Sequence, residues 1–280
     1  MFIKPVPVLA HIHVPKTAGT SFRKALDTTF SPDAHLQLYF DNDTEFVYEN
    51  EELGRFLKVP LVKAFSSHFV RRFPAELAQR PLHYVTFLRD PIQQFLSYLT
   101  YTRKHYGAIP DPVLLEHLPP EMPNRSIREC ARWILAGDPA VFRNFRENYV
   151  TNFFARYSAL ETTGLTYADA RYRATRLDTA REVLSKFLLV GISERMDESW
   201  HLLRWKAREA GILLPELNIG HENTSSDLRG DLSWIHPEDS VGRQLLDSVR
   251  EDQQLYNWGV ARFQHQLATR GLAAYERKSM

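Results

Sequence analysis

The apolar segment Val8-Leu-Ala-His-Ile-His-Val14 stops at Pro15 and gives way within six residues to a helical pattern over Thr20–Phe30. A buried run that ends in a tight loop and feeds a helix is the first half of a strand–helix–strand unit. The second strand of such a unit lies parallel to the first, so the pattern predicts a sheet with helical crossovers. The same alternation continues. Leu36–Phe40 reads as a short strand, and Leu61–Phe65 is a second apolar run. Leu82–Leu88 carries the β-branched and aromatic residues of a central strand, and Phe187–Ile192 is another buried strand. Pro91 sits where a first helical turn accepts proline, with the helix running from Ile92 to His105. Further helical patterns cover Ser126–Ala136, Pro139–Tyr157, Tyr167–Ser185 and Arg195–Ala210, and a last helix runs from Pro237 to about Leu267. The predicted fold class is α/β, three-layered, with a mainly parallel central sheet flanked by helices. In such sheets ligands lie beyond the carboxyl ends of the strands, here the loops after Val14, Phe65, Leu88 and Ile192.

With 280 residues and no repeat or Gly/Ser linker, the chain reads as one domain over 1–280, with a helical insertion at about 109–185. The proline-dense stretch Ile109–Pro123 and the polar stretch Leu217–Gly230 read as irregular. Asp41–Glu52 holds six acidic residues and no basic one, the pattern of a solvated loop. Basic and acidic side chains number 35 and 34, a balance that excludes a sequence-blind nucleic-acid coat but permits a local basic pocket. The single Cys130 excludes an intrachain disulfide and a multi-cysteine zinc site, and no metal is expected. No stretch approaches the ~18 apolar residues of a membrane span, and Met1–Ala10 lacks the apolar core of a secretory signal. A cytoplasmic location is therefore expected.

The first loop, Pro15-Lys-Thr-Ala-Gly-Thr-Ser21, places a lysine, small residues and two hydroxyls at a helix N-terminus. Backbone N–H groups, the helix dipole and the ammonium there converge as in an anion site. The order is not GxxxxGK[ST], because Lys16 precedes Gly19. A second element is Leu88-Arg89-Asp90-Pro91, with Ser97 two turns into the following helix. An arginine that ends a buried strand can grip a phosphate bidentately, and Ser97 can reach the same phosphate if its helix passes the pocket. His68, after the second apolar run, falls at the ligand edge of the sheet and is the candidate general base. His11 and His13, within the first strand, read as buried support, and Glu194 as a cap for the helix after it.

Taken together, Pro15-Lys16-Thr17-Ala18-Gly19-Thr20-Ser21 resembles the 5′-phosphosulfate loop of the sulfotransferases, particularly the carbohydrate branch that includes heparan sulfate 2-O-sulfotransferase. Arg89-Asp90-Pro91 with Ser97 resembles the family's 3′-phosphate element, and Gly191–Ser199 looks like its G-x-x-E-x-x-x-x-S stretch. The segment around Asn218–Ser226 and Asp252…Leu255-Tyr256 also fit, so the resemblance spans roughly residues 8 to 260. Its implications are a P-loop-like fold and transfer of a sulfuryl group from 3′-phosphoadenosine 5′-phosphosulfate to an acceptor hydroxyl on a small molecule or glycan. In that scheme Lys16 neutralises the leaving oxygen, and Thr17, Gly19, Thr20 and Ser21 hold the 5′-phosphate. Arg89 and Ser97 hold the 3′-phosphate, and His68 is the presumed base, with Ser67 where relatives carry glycine. Lacking an anchor and disulfides, the chain looks like a bacterial, cytoplasmic member. Two other readings stay open: a nucleotide-dependent kinase of P-loop ancestry, and a binding module that keeps the pocket without turnover.

Overall fold

Apolar residues dominate the strands because both faces of the sheet are covered. β1 (Val8–Ile12) is buried at every position, and β3 (Ala64–Ser67) and β5 (Leu189–Ile192) match it. β2 (His35–Leu38) lies at one edge, and β4 (Leu82–Leu88) has the bounds predicted for it. The five strands form one all-parallel sheet in the order β2-β3-β1-β4-β5. In this computed structural model the described residues are 5–38, 55, 57–68, 80–106, 116–137, 142, 147–155, 169–219 and 231–270.

The order explains where a ligand belongs. From β1 the chain steps to β2 and β3 on one side, then crosses to β4 and β5 on the other. The reversal falls between β1 and β4, whose carboxyl ends are the position ligands favour in such sheets. α1 (Gly19–Thr29) follows β1 and buries Phe22, Ala25 and Leu26 at helical spacing. α2 (Pro91–Lys104) follows β4 with Asp90 as its cap, which accepts from the Gln93 N–H at 2.9 Å.

Phe87 and Leu88 are successive residues of β4 and face opposite sides of the sheet. The Phe87 ring meets Phe22 of α1 at 4.7 Å between centroids, and Phe22 meets Trp200 of α5 (Met196–Glu209) at 5.9 Å. Leu88 instead meets Gly259 of α7 (Arg250–Thr269), where a Cβ would lie 2.6 Å from Leu88 Cδ1. Helices therefore cover both faces, as a three-layer α/β fold requires.

Between these lie α3 (Ile127–Ala136), α4 (Ala170–Ser185) and α6 (Ser240–Ser248). α3 begins with a capping box between Ser126 and Glu129. Two apolar clusters result. One surrounds the sheet; the other joins Phe95, Leu96 and Leu99 of α2 to Ile127, Ala131 and Ile134 of α3 and to Val241 and Leu245 of α6.

The predicted final helix is two helices. Val249, at φ −111° and ψ 13°, separates α6 from α7. Asn148 occupies the break: its N–H donates to Ser248 O at 2.6 Å, and its Oδ1 accepts from the N–H groups of Glu251 and Asp252. Asp252 returns the contact by accepting from the N–H groups of Val150 and Thr151 at 3.1 and 2.7 Å. Burial pushes its carboxyl up to about 6. The helix predicted over Pro139–Tyr157 is also interrupted, since Glu147 and Asn148 both have φ 58° and the described helix there spans 149–155. The acidic stretch Asp41–Glu52, the end of the second strand at Phe40 and residues 220–230 lie outside the described residues. So do residues 107–115, which include the start of the proline-dense stretch Ile109–Pro123. Among the described residues no helix is long and apolar enough to cross a membrane.

Candidate active site

The loop between β1 and α1 holds an uncommon backbone. Lys16 and Ala18 both have positive φ, 65° and 63°, a left-handed conformation that costs a non-glycine residue of order 1 kcal/mol. Thr17 lies between them and ties the turn down, its hydroxyl donating to Val14 O at 2.7 Å. Such a concave turn at a helix start directs backbone N–H groups toward a common anion. α2, α3, α4 and α6 begin with the side-chain caps Asp90, Ser126, Asp169 and Asp239. α1 begins at Ala18 with no side-chain cap and no acidic residue in its first turn. The first N–H groups of a helix have no intrahelical acceptor, so this end suits an external anion.

Two cations converge on the loop. Arg89, the residue after β4, donates from Nη1 to Lys16 O at 3.1 Å. Lys16 Nζ lies 4.0 Å from the centroid of the Tyr101 ring. Burial, and secondarily the charge of Arg89, bring the Lys16 ammonium down to about 8. Burial likewise lowers Arg89, with Glu194 and Asp90 acting against it. Lys16 and Arg89 thus repel each other, which an arriving anion would relieve.

α2 passes alongside the loop. Gln94 donates from Nε2 to Pro15 O at 2.8 Å, and Tyr101 touches Lys16. Ser97, half-buried, falls three residues after the first and four before the second, on the same helix ridge. The structure therefore brings Arg89 onto the loop Pro15, Lys16, Thr17, Ala18, Gly19, Thr20, Ser21, and sets Ser97 on the helix ridge whose Gln94 and Tyr101 touch that loop. Sequence reasoning missed Gln94 and Tyr101, although both lie on the ridge that a helical wheel through Ser97 would have marked.

Histidines flank the other side of the loop. Ile12 pairs with Ser67 across β1 and β3, and the His13 N–H donates to Ser67 O at 2.8 Å. That register brings His68 beside His13, their rings stacked with centroids 4.3 Å apart. His68 Nδ1 lies 2.8 Å from His13 O. A carbonyl only accepts, so Nδ1 carries the hydrogen and the neutral ring keeps its lone pair on Nε2. The His13 ring occupies the space where a side chain at position 19 would start: a Cβ on Gly19 would lie 1.7 Å from His13 Nε2. His13 and His11 are buried, as predicted, and burial holds both well below the usual imidazole value.

Glu194 does not cap the helix after it. Its Oε1 accepts from the Asp90 N–H at 2.9 Å, and its Oε2 accepts from the Tyr256 hydroxyl at 3.2 Å. This carboxylate fixes the residue next to Arg89 from the far side of β5 and from α7. Ser199 holds the β5 end, accepting from the Ile192 N–H at 3.0 Å. Asp252 belongs to the α6–α7 junction described above, whereas Tyr256 reaches the site through Glu194. Of the segment Asn218–Ser226, residues 220–226 lie outside the described residues. No group of three or more His, Cys, Asp or Glu side chains among the described residues could hold a metal ion. No protein-family model matches the chain, and a search of curated proteins finds no match to it.

Proposed function

We propose that the chain is a sulfotransferase that moves a sulfuryl group from 3′-phosphoadenosine 5′-phosphosulfate to an acceptor hydroxyl, on a carbohydrate or related alcohol. The observation that carries this reading is the convergence of Lys16, Arg89 and the Ser97 ridge on one positive-φ loop. Two cations on separate strand ends suit a ligand with two separated phosphates. The uncapped start of α1 would take the 5′-phosphate through the N–H groups of Gly19, Thr20 and Ser21, with hydroxyls from Thr20 and Ser21. Arg89 and Ser97 would take the 3′-phosphate.

The donor supplies an activated S–O bond to its 5′-phosphate; the chain's residues supply position and charge. Lys16 stabilises the negative charge that grows on the 5′-phosphate oxygen as that bond breaks. His68 Nε2 accepts the hydroxyl proton as the acceptor oxygen bonds to sulfur. The stack under His68 and its Nδ1–H bond hold that lone pair in one orientation. Transfers of this kind depend chiefly on in-line positioning and electrostatic stabilisation, as phosphoryl transfer does.

The test is titration calorimetry with 3′,5′-adenosine bisphosphate and with 5′-AMP. A charge-assisted contact is worth about 1.5–3 kcal/mol, so the bisphosphate should bind roughly 10- to 100-fold more tightly. Arg89→Ala should shrink that ratio. Equal affinities would refute the assignment, and preference for ATP with magnesium would favour a kinase.

A further inference from the structure

A chain of hydrogen bonds runs from the surface of α1 to the buried interior of the sheet. Asp27, at the surface, has Oδ1 2.7 Å from His35 Nδ1. His35 Nε2 lies 2.9 Å from Ser66 Oγ, and Ser66 Oγ lies 3.1 Å from His11 Nδ1. Ser66 is wholly buried, with His11 and His35 close to it. The His11 ring stacks on His13 at 5.3 Å, and His13 stacks on His68. Four imidazoles and one hydroxyl therefore connect an exposed carboxylate to the edge of the candidate site.

The proton positions follow from what each atom can do. The Asp27 carboxylate only accepts, and it also takes two contacts from Gln37 Nε2, at 2.9 and 3.0 Å. His35 Nδ1 therefore carries a hydrogen, and neutral His35 offers its lone pair at Nε2. Ser66 has one hydroxyl proton, which goes to His35 Nε2, so Ser66 Oγ must accept from His11 Nδ1–H. When His35 gains a proton at Nε2, the roles reverse. His35 then donates to Ser66 Oγ; of the two partners of Ser66 only His11 Nδ1 can now take the buried hydroxyl proton, and in doing so it leaves the His11 hydrogen on Nε2.

We propose that Ser66 couples the protonation of His35 to the tautomer of His11, which makes Asp27, His35 and Ser66 positioning residues for the histidine stack that ends at His68. Among the described residues, few charged groups face this chain. Asp27 and Arg23 face His35 from α1; Arg23, His35 and His68 face His11; Lys16, Arg23, His11 and His68 face His13. Burial lowers His35, and Asp27 opposes that, so His35 is the member of the chain whose proton uptake the surface carboxylate favours. The coupling stands whatever the donor is; only its effect on turnover rests on His68 serving as the base.

The experiment is NMR of the full-length chain carrying ring-¹⁵N histidine, titrated from pH 8 to the acid limit of the folded protein. In the wild type, His35 Nε2 should change from lone-pair to hydrogen-bearing character. His11 should exchange its Nδ1 and Nε2 characters at the same midpoint. In Ser66→Ala, His11 should no longer respond when His35 titrates. Asp27→Asn is at the surface and keeps an accepting oxygen; it should move the shared midpoint to lower pH. A His35 that stays neutral to the acid limit overturns the proposal, and so does a His11 unchanged at the His35 midpoint. Coupling that survives in Ser66→Ala overturns it as well. A turnover profile that ignores the midpoint while the nitrogen shifts follow it would instead count against His68 as the base.

Discussion

Replacing Gly19 with alanine tests the geometry on which the site depends. Glycine here is a requirement of space, because the added Cβ would lie 1.7, 2.0 and 2.1 Å from three atoms of the His13 ring. The ring would have to retreat by roughly 1.7 Å to reach 3.4 Å, the near limit of ordinary contact. Stacked rings of His11 and His68 oppose that retreat. Alanine gains about 1 kcal/mol of helix propensity over glycine, whereas forcing atoms into a packed site costs typically about 1–3 kcal/mol and occasionally more. Here the overlap involves atoms of a buried ring stacked with two others, so the upper end applies and the net loss is about 2 kcal/mol. At about 2–4 °C per kcal/mol, Tm should fall by about 4–8 °C. Thermal denaturation measures this, and calorimetry with 3′,5′-adenosine bisphosphate should show weaker binding in the same variant. Removing the ring should rescue it: in a His13→Ala background, Gly19→Ala should stabilise by about 1 kcal/mol, the helix-propensity gain alone, a non-additivity of about 3 kcal/mol. A Gly19→Ala variant with unchanged Tm, or one whose cost persists without the His13 ring, would refute the reasoning.

His68→Ala should leave bisphosphate affinity nearly intact by calorimetry while turnover falls about 10²- to 10⁴-fold, the usual share of a general base. With the Lys16 ammonium at about 8 in the free protein, bisphosphate affinity should decline between pH 7 and 9. The decline should reach about tenfold, and Lys16→Ala should abolish it. His11 and His13 titrate well below the unfolded imidazole value, so the unfolded chain takes up protons first as pH falls. Their contribution to stability is complete above about pH 6.5 and is lost below it, at about 1.4 kcal/mol per pH unit for each histidine. Urea midpoints at pH 7.5 and 5.5 should differ accordingly, and a flat midpoint would contradict the buried neutral stack.

Periodicity and turn chemistry located what depends on neighbours in sequence. β4 has its predicted bounds because Leu82–Leu88 is uniformly suited to a covered strand, and Pro91 marks the start of α2. The candidate loop Pro15–Ser21 stood out because its lysine, glycine and hydroxyls are contiguous. What stayed hidden depends on residues far apart in the chain. Glu194 and the Asp90 N–H are 104 positions apart, and nothing local distinguishes this glutamate from a helix cap. Asn148 is likewise joined to the α6–α7 junction only by the fold, so the last helix read as continuous. Ser66, His35 and Asp27 sit on two strands and a helix, and only the β2–β3 and β1–β3 registers bring them into line.

α2 belongs to two neighbourhoods at once. The ridge of Gln94, Ser97 and Tyr101 borders the loop, while Phe95, Leu96 and Leu99 anchor the helix in an apolar cluster that shares no residue with the one around the sheet. Inheritance can act on the two separately. Substitutions among α3, α6 and their partners can accumulate without touching the residues that border the loop. A lineage built on this plan can reshape one end of the molecule over generations while the loop after β1 and its neighbours stay as they were.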